Sequence, residues 1–311
     1  MLTRGTTTLW RRWRRPRAVE GIEWRRLDGT QRDEVGALSG RSDVPDGARY
    51  ADNLAGFRLG RSSFFVGMGG FASELLVAAV TVNKLGQPAS IEGHVDPVYR
   101  GRGLGAALLD WALAEVRTPQ VVVQTRSLTA DKQRLFESRG LRACAAVEHA
   151  SMPLSPPVEP TPLPPGIAVT DWADEDGYYM YAMTSSDLPA NRFALYEEAG
   201  LSLEDWLKET KESYFVESCS LIARRTDGEP VGFVTTGEWG PIQVGVVHAS
   251  RQRGLGRALV TWSMARLHDV PERGQRAEVS VNVDNIAAIR LFRSVGFNQD
   301  HRTSYFEPDP S

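Results

Sequence analysis

One basic, glycine-spaced phrase is written twice in this chain, as Arg100-Gly-Arg-Gly-Leu-Gly-Ala106 and as Arg251-Gln-Arg-Gly-Leu-Gly-Arg257. The leading arginines are 151 residues apart, and so are Trp111 and Trp262. Upstream, Ser42-Asp43-Val44-Pro45 returns 144 residues on as Ser186-Asp187-Leu188-Pro189. Downstream, "LFESRGL" at 135–141 returns 156 residues on as "LFRSVGF" at 291–297. Four features repeated in one order point to two copies of one domain. The length of 311 residues agrees, exceeding the roughly 100–150 typical of a single domain.

Between the copies, residues 152–166 hold seven prolines in fifteen positions. Neither a helix nor a central strand accommodates such a run, which reads as a semi-rigid linker. The expected boundaries are a basic tail over 1–17, a first domain over 18–152, a linker over 153–166 and a second domain over 167–311. The tail carries six arginines and no acid, leaving about −9 for the remainder of a chain whose net charge is −3. Lacking any periodic pattern, it reads as a disordered extension, with an arm for nucleic acid or an anionic membrane surface as the alternative. No run of about 18 apolar residues exists, and no apolar segment follows the N-terminal arginines, so a cytoplasmic location without membrane contact is expected. Cys144 and Cys219 stand far apart with no histidine at ligand spacing, which excludes a disulfide framework and a standard zinc site; no metal is expected.

Each half alternates β-rich runs with helical ones. In the second, "SLIARRTDGEPVGFVTT" sets two strands around Asp227-Gly228, a hairpin signal. An apolar run over 242–247 leads into the glycine phrase, and "LGRALVTWSMARLH" follows with Leu255, Leu259, Trp262 and Ala265 on one helical face. Then come the strand "AEVSVNV", a helix from Asn285 and a last strand near Tyr305. The first half gives the same order through "ELLVAAVTVN", "ASIEGHVD", the glycine phrase, "LGAALLDWALAEV" and "QVVVQTR". The expected fold is α/β (α+β), two tandem domains each with a mixed central sheet flanked by helices.

A glycine turn between a strand and a helix presents unpaired backbone N–H groups at the positive end of the helix dipole, where phosphate oxygens bind. Arg251, Arg253 and Arg257, and in the first half Arg100 and Arg102, add charged donors suited to a pyrophosphate. The spacing matches neither the dinucleotide fingerprint nor the Walker phrase. Set after a valine-rich strand, Arg/Gln-x-x-Gly-x-Gly/Ala resembles the acyl-CoA signature of the GNAT superfamily of N-acetyltransferases. "NVDNIAAIRLFRSVGF" in the second half is similar to that family's later helix, and the duplication resembles its tandem members of the mycothiol synthase type. The resemblance implies acetyl-CoA as cosubstrate, its pyrophosphate on the backbone of Arg251, Gln252, Arg253, Gly254, Leu255, Gly256 and Arg257. It further implies a pantetheine arm paired with Val244, Gly245 and Val246, and a thiol end flanked by the helix bearing Asn285, Ala288 and Phe292. The matching first-half positions are Gly93, His94 and Val95, then Arg100, Gly101, Arg102, Gly103, Leu104, Gly105 and Ala106.

Acetyl transfer to an amine needs a group to take the amine's proton, since a lysine-like amine has a pKa of about 10.4. Glu238, just before the cofactor strand, is the expected base; Glu92 is its first-half thought. The family's usual acid is a tyrosine where this chain has Phe292, and Phe136 in the first half, so Tyr305 becomes the expected proton donor. Only the second half has Asn285-x-x-Ala288, which makes the first half's later helix look degraded and places catalysis in the second. Asp171, Asp174, Glu175, Asp176, Asp187, Glu197, Glu198, Glu204 and Asp205, among Trp172, Tyr178, Tyr179, Tyr181, Phe193 and Tyr196, suit either a cationic acceptor or a solvated helical face. The expected function is N-acetylation of a small-molecule amine, the protein being a possible homodimer. The alternatives are protein or peptide N-acetylation and a non-catalytic acyl-CoA sensor.

Overall fold

The computed structural model describes residues 15–42, 65–84, 88–116, 120–185, 202–212, 215–270 and 276–309. Two compact units emerge, Met1–Cys144 with Thr303–Ser311, and Ala145–Arg302. The chain therefore crosses between units inside two long strands, β6 (Leu141–Pro153) and β12 (Asn298–Pro308), not at the proline run.

In the first unit, β1 (Glu23–Leu27), β2 (Phe65–Ala72), β3 (Leu75–Asn83) and β4 (Ala89–Val95) pair antiparallel in chain order. Helix α2 (Leu104–Glu115) then returns the chain so that β5 (Val121–Thr125) lies parallel to β4, the geometry that demands a crossover. Beyond β5 comes β12, antiparallel, with Tyr305 opposite Gln124 and Phe306 opposite Val123. Strand alternation sorts these residues by face. Ile91, Val123 and Phe306 lie in a core with Leu104, Leu108 and Trp111 of α2 and with Phe136 of α3 (Ala130–Glu137). Glu92, Gln124 and Tyr305 take the opposite face. On that side Val35 and Leu38 of α1 (Arg32–Arg41) pack on Leu76 and Ala79.

The second unit contains the antiparallel meander β7 (Ile167–Asp171), β8 (Leu221–Arg225), β9 (Pro230–Gly237) and β10 (Gly240–Val246). The β8–β9 turn sits at Asp227-Gly228 as the sequence signal indicates, with Gly228 at φ 90°. Helices α4 (Asp174–Ser185) and α5 (Leu203–Glu212) follow β7, and α6 (Leu255–His268) follows β10. Strand β11 (Arg276–Asn282) pairs antiparallel with residues 147–153 of β6, and α7 (Ile286–Val295) precedes β12.

The proline segment is docked on α6 instead of spanning free space. Trp262 Nε1 donates to the Thr161 carbonyl (3.0 Å), the Thr161 N–H donates to Thr261 Oγ1 (2.9 Å), and Leu154 is buried in the core. A proline-rich backbone has few N–H groups to pair, so side chains of the helix satisfy the polar atoms that remain. The basic tail's end is anchored as well: Pro16 is buried and Trp24 Nε1 donates to the Arg17 carbonyl (3.0 Å).

Phe306 lies near the chain's C-terminus yet fills the first unit's core. Phe306→Ala should cost about 3–5 kcal/mol. Hydrogen exchange should show the loss of protection in β4 and β5 while β8 and β9 keep theirs.

Candidate active site

The two glycine phrases fold alike. Gly103 and Gly254 sit at φ 83° and 84° as the N-caps of α2 and α6, a left-handed conformation in which a side chain is strained. Two positions earlier, Gly101 has φ 77°, and its counterpart Gln252 is held at φ 59° although it is not a glycine. The turn shape is thus kept at a cost of about 1–2 kcal/mol, as loops that bind ligands often do. The first helical amides to find a carbonyl are Ala107, to Gly103, and Ala258, to Gly254, each at 3.0 Å. The N–H groups of Leu104, Gly105 and Ala106, and of Leu255, Gly256 and Arg257, therefore face out of the helix starts. Leu104 and Leu255 themselves are core side chains.

Each leading arginine bonds back to the strand before its turn. Arg251 Nε donates to the Val246 carbonyl (2.9 Å) and Arg100 Nε to that of Val95 (3.2 Å), so each buckles its turn to the end of the strand before it. Arg102 stacks on the Tyr99 ring at 4.9 Å, and Arg253 and Arg257 are exposed. Arg17 reaches the first turn: a β-carbon on Gly103 would lie 2.6 Å from its Nη2.

The strand before each turn has an open edge. Registered β4–β5 pairs end at Ile91 and Val123, while β4 runs on to Val95 with β3 on its other side, leaving Gly93, His94 and Val95 available to an extended ligand. For β10 the described bond toward β11 is at its very start, from the Glu278 N–H to the Trp239 carbonyl. Val244 and Val246 pack toward α6. Gly245 has its back to Phe233 and Thr184, whose atoms would lie 2.3 and 2.6 Å from a β-carbon there, so only glycine fits.

The later helices are capped in the same way. Asn285 Oδ1 accepts from the Ala288 N–H (3.1 Å), and Thr129, the matching residue, accepts from Lys132 N–H (3.3 Å). The first half's helix is intact, threonine replacing asparagine as the cap. Phe292 is buried against Phe297 at 5.4 Å and Phe136 against Phe306 at 4.8 Å, so both are core side chains.

Glu238 and Tyr305 belong to different compact units. Glu238 is half-buried in the two-residue turn joining β9 to β10, in the second unit, whereas strand exchange carries Tyr305 into the first. There it joins residues that the sequence did not assemble. Gln124 Nε2 donates to Glu92 Oε2 (2.9 Å), Arg126 Nε lies 3.6 Å from Glu92 Oε1, and His94 Nε2 lies 3.9 Å from the same oxygen. Burial pushes the Glu92 carboxyl up, with Arg126 and Gln124 pulling partly back. Burial, reinforced by Glu92 and opposed by Arg126, likewise raises the Tyr305 phenol. The Ser42 hydroxyl donates to the Ser39 carbonyl (2.7 Å) and lies 3.0 Å from His94 Nδ1, which assigns the ring proton to Nδ1.

Four acids of the stretch read as an acceptor face or a solvated one have partners within the second unit. Asp174 bonds Lys211 and Trp172, Asp176 pairs with Arg224, Asp171 with Arg266, and Asp205 caps with Ser202. Trp172, Tyr178, Tyr181 and Trp206 form an aromatic core, while Tyr179 is exposed. Asp187, Phe193, Tyr196, Glu197 and Glu198 lie outside the described residues, as do 43–45 of the upstream repeat and residues 1–14 of the tail.

With this geometry in view, the model of the Acetyltransferase (GNAT) family matches residues 168–297. A mycothiol acetyltransferase from Thermobispora bispora is 32% identical over 228 residues, 68% of this chain and 73% of that protein. The chain belongs to the GNAT acetyltransferase family. A second mycothiol acetyltransferase, from Clavibacter sepedonicus, is 29% identical over 282 residues, covering 84% of this chain and 88% of that one. Among solved structures, a GCN5-related N-acetyltransferase from Sphaerobacter thermophilus overlays with a TM-score of 0.71 at 22% identity, over 92% and 95% of the two chains. A tandem GNAT protein from the clavulanic acid biosynthesis pathway gives 0.55 at 19%, over 93% and 99%. This GNAT chain is an N-acetyltransferase with the tandem fold. No described helix is long and apolar enough to cross a membrane, and no described cluster of side chains could hold a metal ion.

Burial, then the charges of Lys132, Arg126 and Arg100, drives the His94 pKa from 6.5 down to about 3. Below pH 6.5 the unfolded chain binds a proton that the folded one refuses, so this stability is lost as pH falls from 6.5 toward 3. Urea unfolding of His94→Gln should depend less on pH than wild type across that window. Separately, Gly254→Ala strains the second turn by about 1–2 kcal/mol and should weaken acetyl-CoA binding roughly five- to thirtyfold by calorimetry.

Proposed function

We propose that the protein takes acetyl from acetyl-CoA and transfers it to the primary amine of a small molecule, holding the cosubstrate on a glycine turn and the strand edge beside it. The observation that carries this reading is the pairing of an outward-facing helix start with an open strand edge, present in both units. A pyrophosphate suits the three amides at each helix start, and the secondary amides of a pantetheine arm suit the edge of β4 or β10. A strand N–H left over at that edge is a donor for the oxyanion that develops on the thioester carbonyl. The thiol leaving group, with a pKa of about 8.5, departs readily once the amine has lost its proton.

Relatives named mycothiol acetyltransferase make des-acetyl mycothiol the first acceptor to try. Thiol release from acetyl-CoA should be followed with des-acetyl mycothiol, glucosamine, cysteine, spermidine and a lysyl peptide. At least one small amine should give saturable turnover. Tight acetyl-CoA binding with no thiol release from any of the five would sink this reading in favour of a sensor, and the peptide as best acceptor would favour protein acetylation.

A further inference from the structure

We propose that the first unit is a working acetyl-transfer site in its own right, with Glu92 as the group that takes the acceptor's proton and Tyr305, delivered by the last strand, as the group that returns it to sulfur. The proposal rests on the acetyl-CoA reading above and reverses the expectation that chemistry belongs to the second half.

Position comes first. A cosubstrate held by the Gly101–Ala106 turn runs its arm back along the open edge of β4, and the β4–β5 pairing that begins at Ile91 closes that path. The thioester must then lie beside Glu92, about 10 Å of strand from Val95. Glu92 is the last residue before the closure, and its side chain is only 8% exposed.

Chemistry comes second. A buried carboxylate with one hydrogen bond from Gln124 and an arginine at 3.6 Å is costly as mere packing, where an apolar side chain would serve the fold better. Arg126 also keeps Nη1 buried with no hydrogen-bond partner among the described residues, a donor that a substrate oxygen would satisfy. The groups facing Glu92 are Arg126 and Gln124 from β5 and its end, His94 from β4 and Tyr305 from β12, with Lys132 and Arg100 acting on His94. Burial lifts the Glu92 carboxyl toward the pH at which a base works best.

The second unit lacks this set. The repeat spacings put Gln243 opposite Glu92 and Asn282 opposite Arg126, and the registered pair Ser280–His149 stands where Gln124–Tyr305 does. No carboxylate occupies the matching strand.

The step balances without an outside reagent. The amine lone pair forms the C–N bond, the carbonyl π pair moves to oxygen, and one N–H proton passes to the Glu92 carboxylate. The oxygen pair then re-forms C=O, the C–S bond breaks with its electrons on sulfur, the Tyr305 phenol protonates the sulfur, and Glu92 reprotonates Tyr305.

The full chain should be assayed with the best acceptor of the panel above. Glu92→Gln should lower kcat at least about 100-fold, leave the acetyl-CoA Kd within about threefold, and remove the acidic limb of the kcat pH profile. Arg126→Gln should move that limb to higher pH, because Arg126 holds the Glu92 carboxyl down; this variant decides the matter should Glu92→Gln fail to fold. Tyr305→Phe should lower kcat at least about tenfold. Turnover of Glu92→Gln within about threefold of wild type, or an unmoved limb in Arg126→Gln, overturns this proposal alone, whereas a wild-type protein that releases no thiol overturns the acetyl-CoA reading with it.

Discussion

The first unit depends on one strand pairing, that of β12 with β5. Val123 opposite Phe306 closes the apolar face against α2 and α3, and Gln124 opposite Tyr305 completes the polar face beside Glu92. A single antiparallel register sets both faces because side chains alternate, and a slip by one residue would exchange Tyr305 for Phe306 on each of them. Core and polar site are therefore decided together by residues at the far end of the chain. The second unit has a matching debt to β6, whose residues 147–153 complete β11.

Within that frame, the two halves reach one backbone geometry from partly different residues. Gly101 and Gln252 both adopt the left-handed conformation, Thr129 and Asn285 both cap the helix that follows, and both leading arginines fold back on the strand carbonyl behind them. What the duplication preserves is the direction of N–H groups. The side chains at matching positions of the strands have diverged, Glu92 and Arg126 in one unit against Gln243 and Asn282 in the other.

Much of this was legible in the residues. The glycine turns, the hairpin at Asp227-Gly228, the strand-to-helix order and the family resemblance all rest on local patterns, and the fold carries each of them. Charge and composition leave open whatever depends on partners from distant segments. The acidic run suited an acceptor face or a solvated one equally, and its ion pairs to Arg266, Lys211 and Arg224 depend on segments far along the chain. The proline run reads as a semi-rigid linker, and its hydrogen bonds to Trp262 and Thr261 come from a helix about 100 residues on in the chain.

The sequence by itself determined the elements, the duplication and the two turns, because turn chemistry and periodicity act over a few residues. Only the tertiary structure decided that Tyr305 stands opposite Gln124 and beside Glu92. Alternation marks "TSYFE" as a strand but is silent on its neighbour, since backbone hydrogen bonds are the same for every partner and the choice falls to the faces that must be covered.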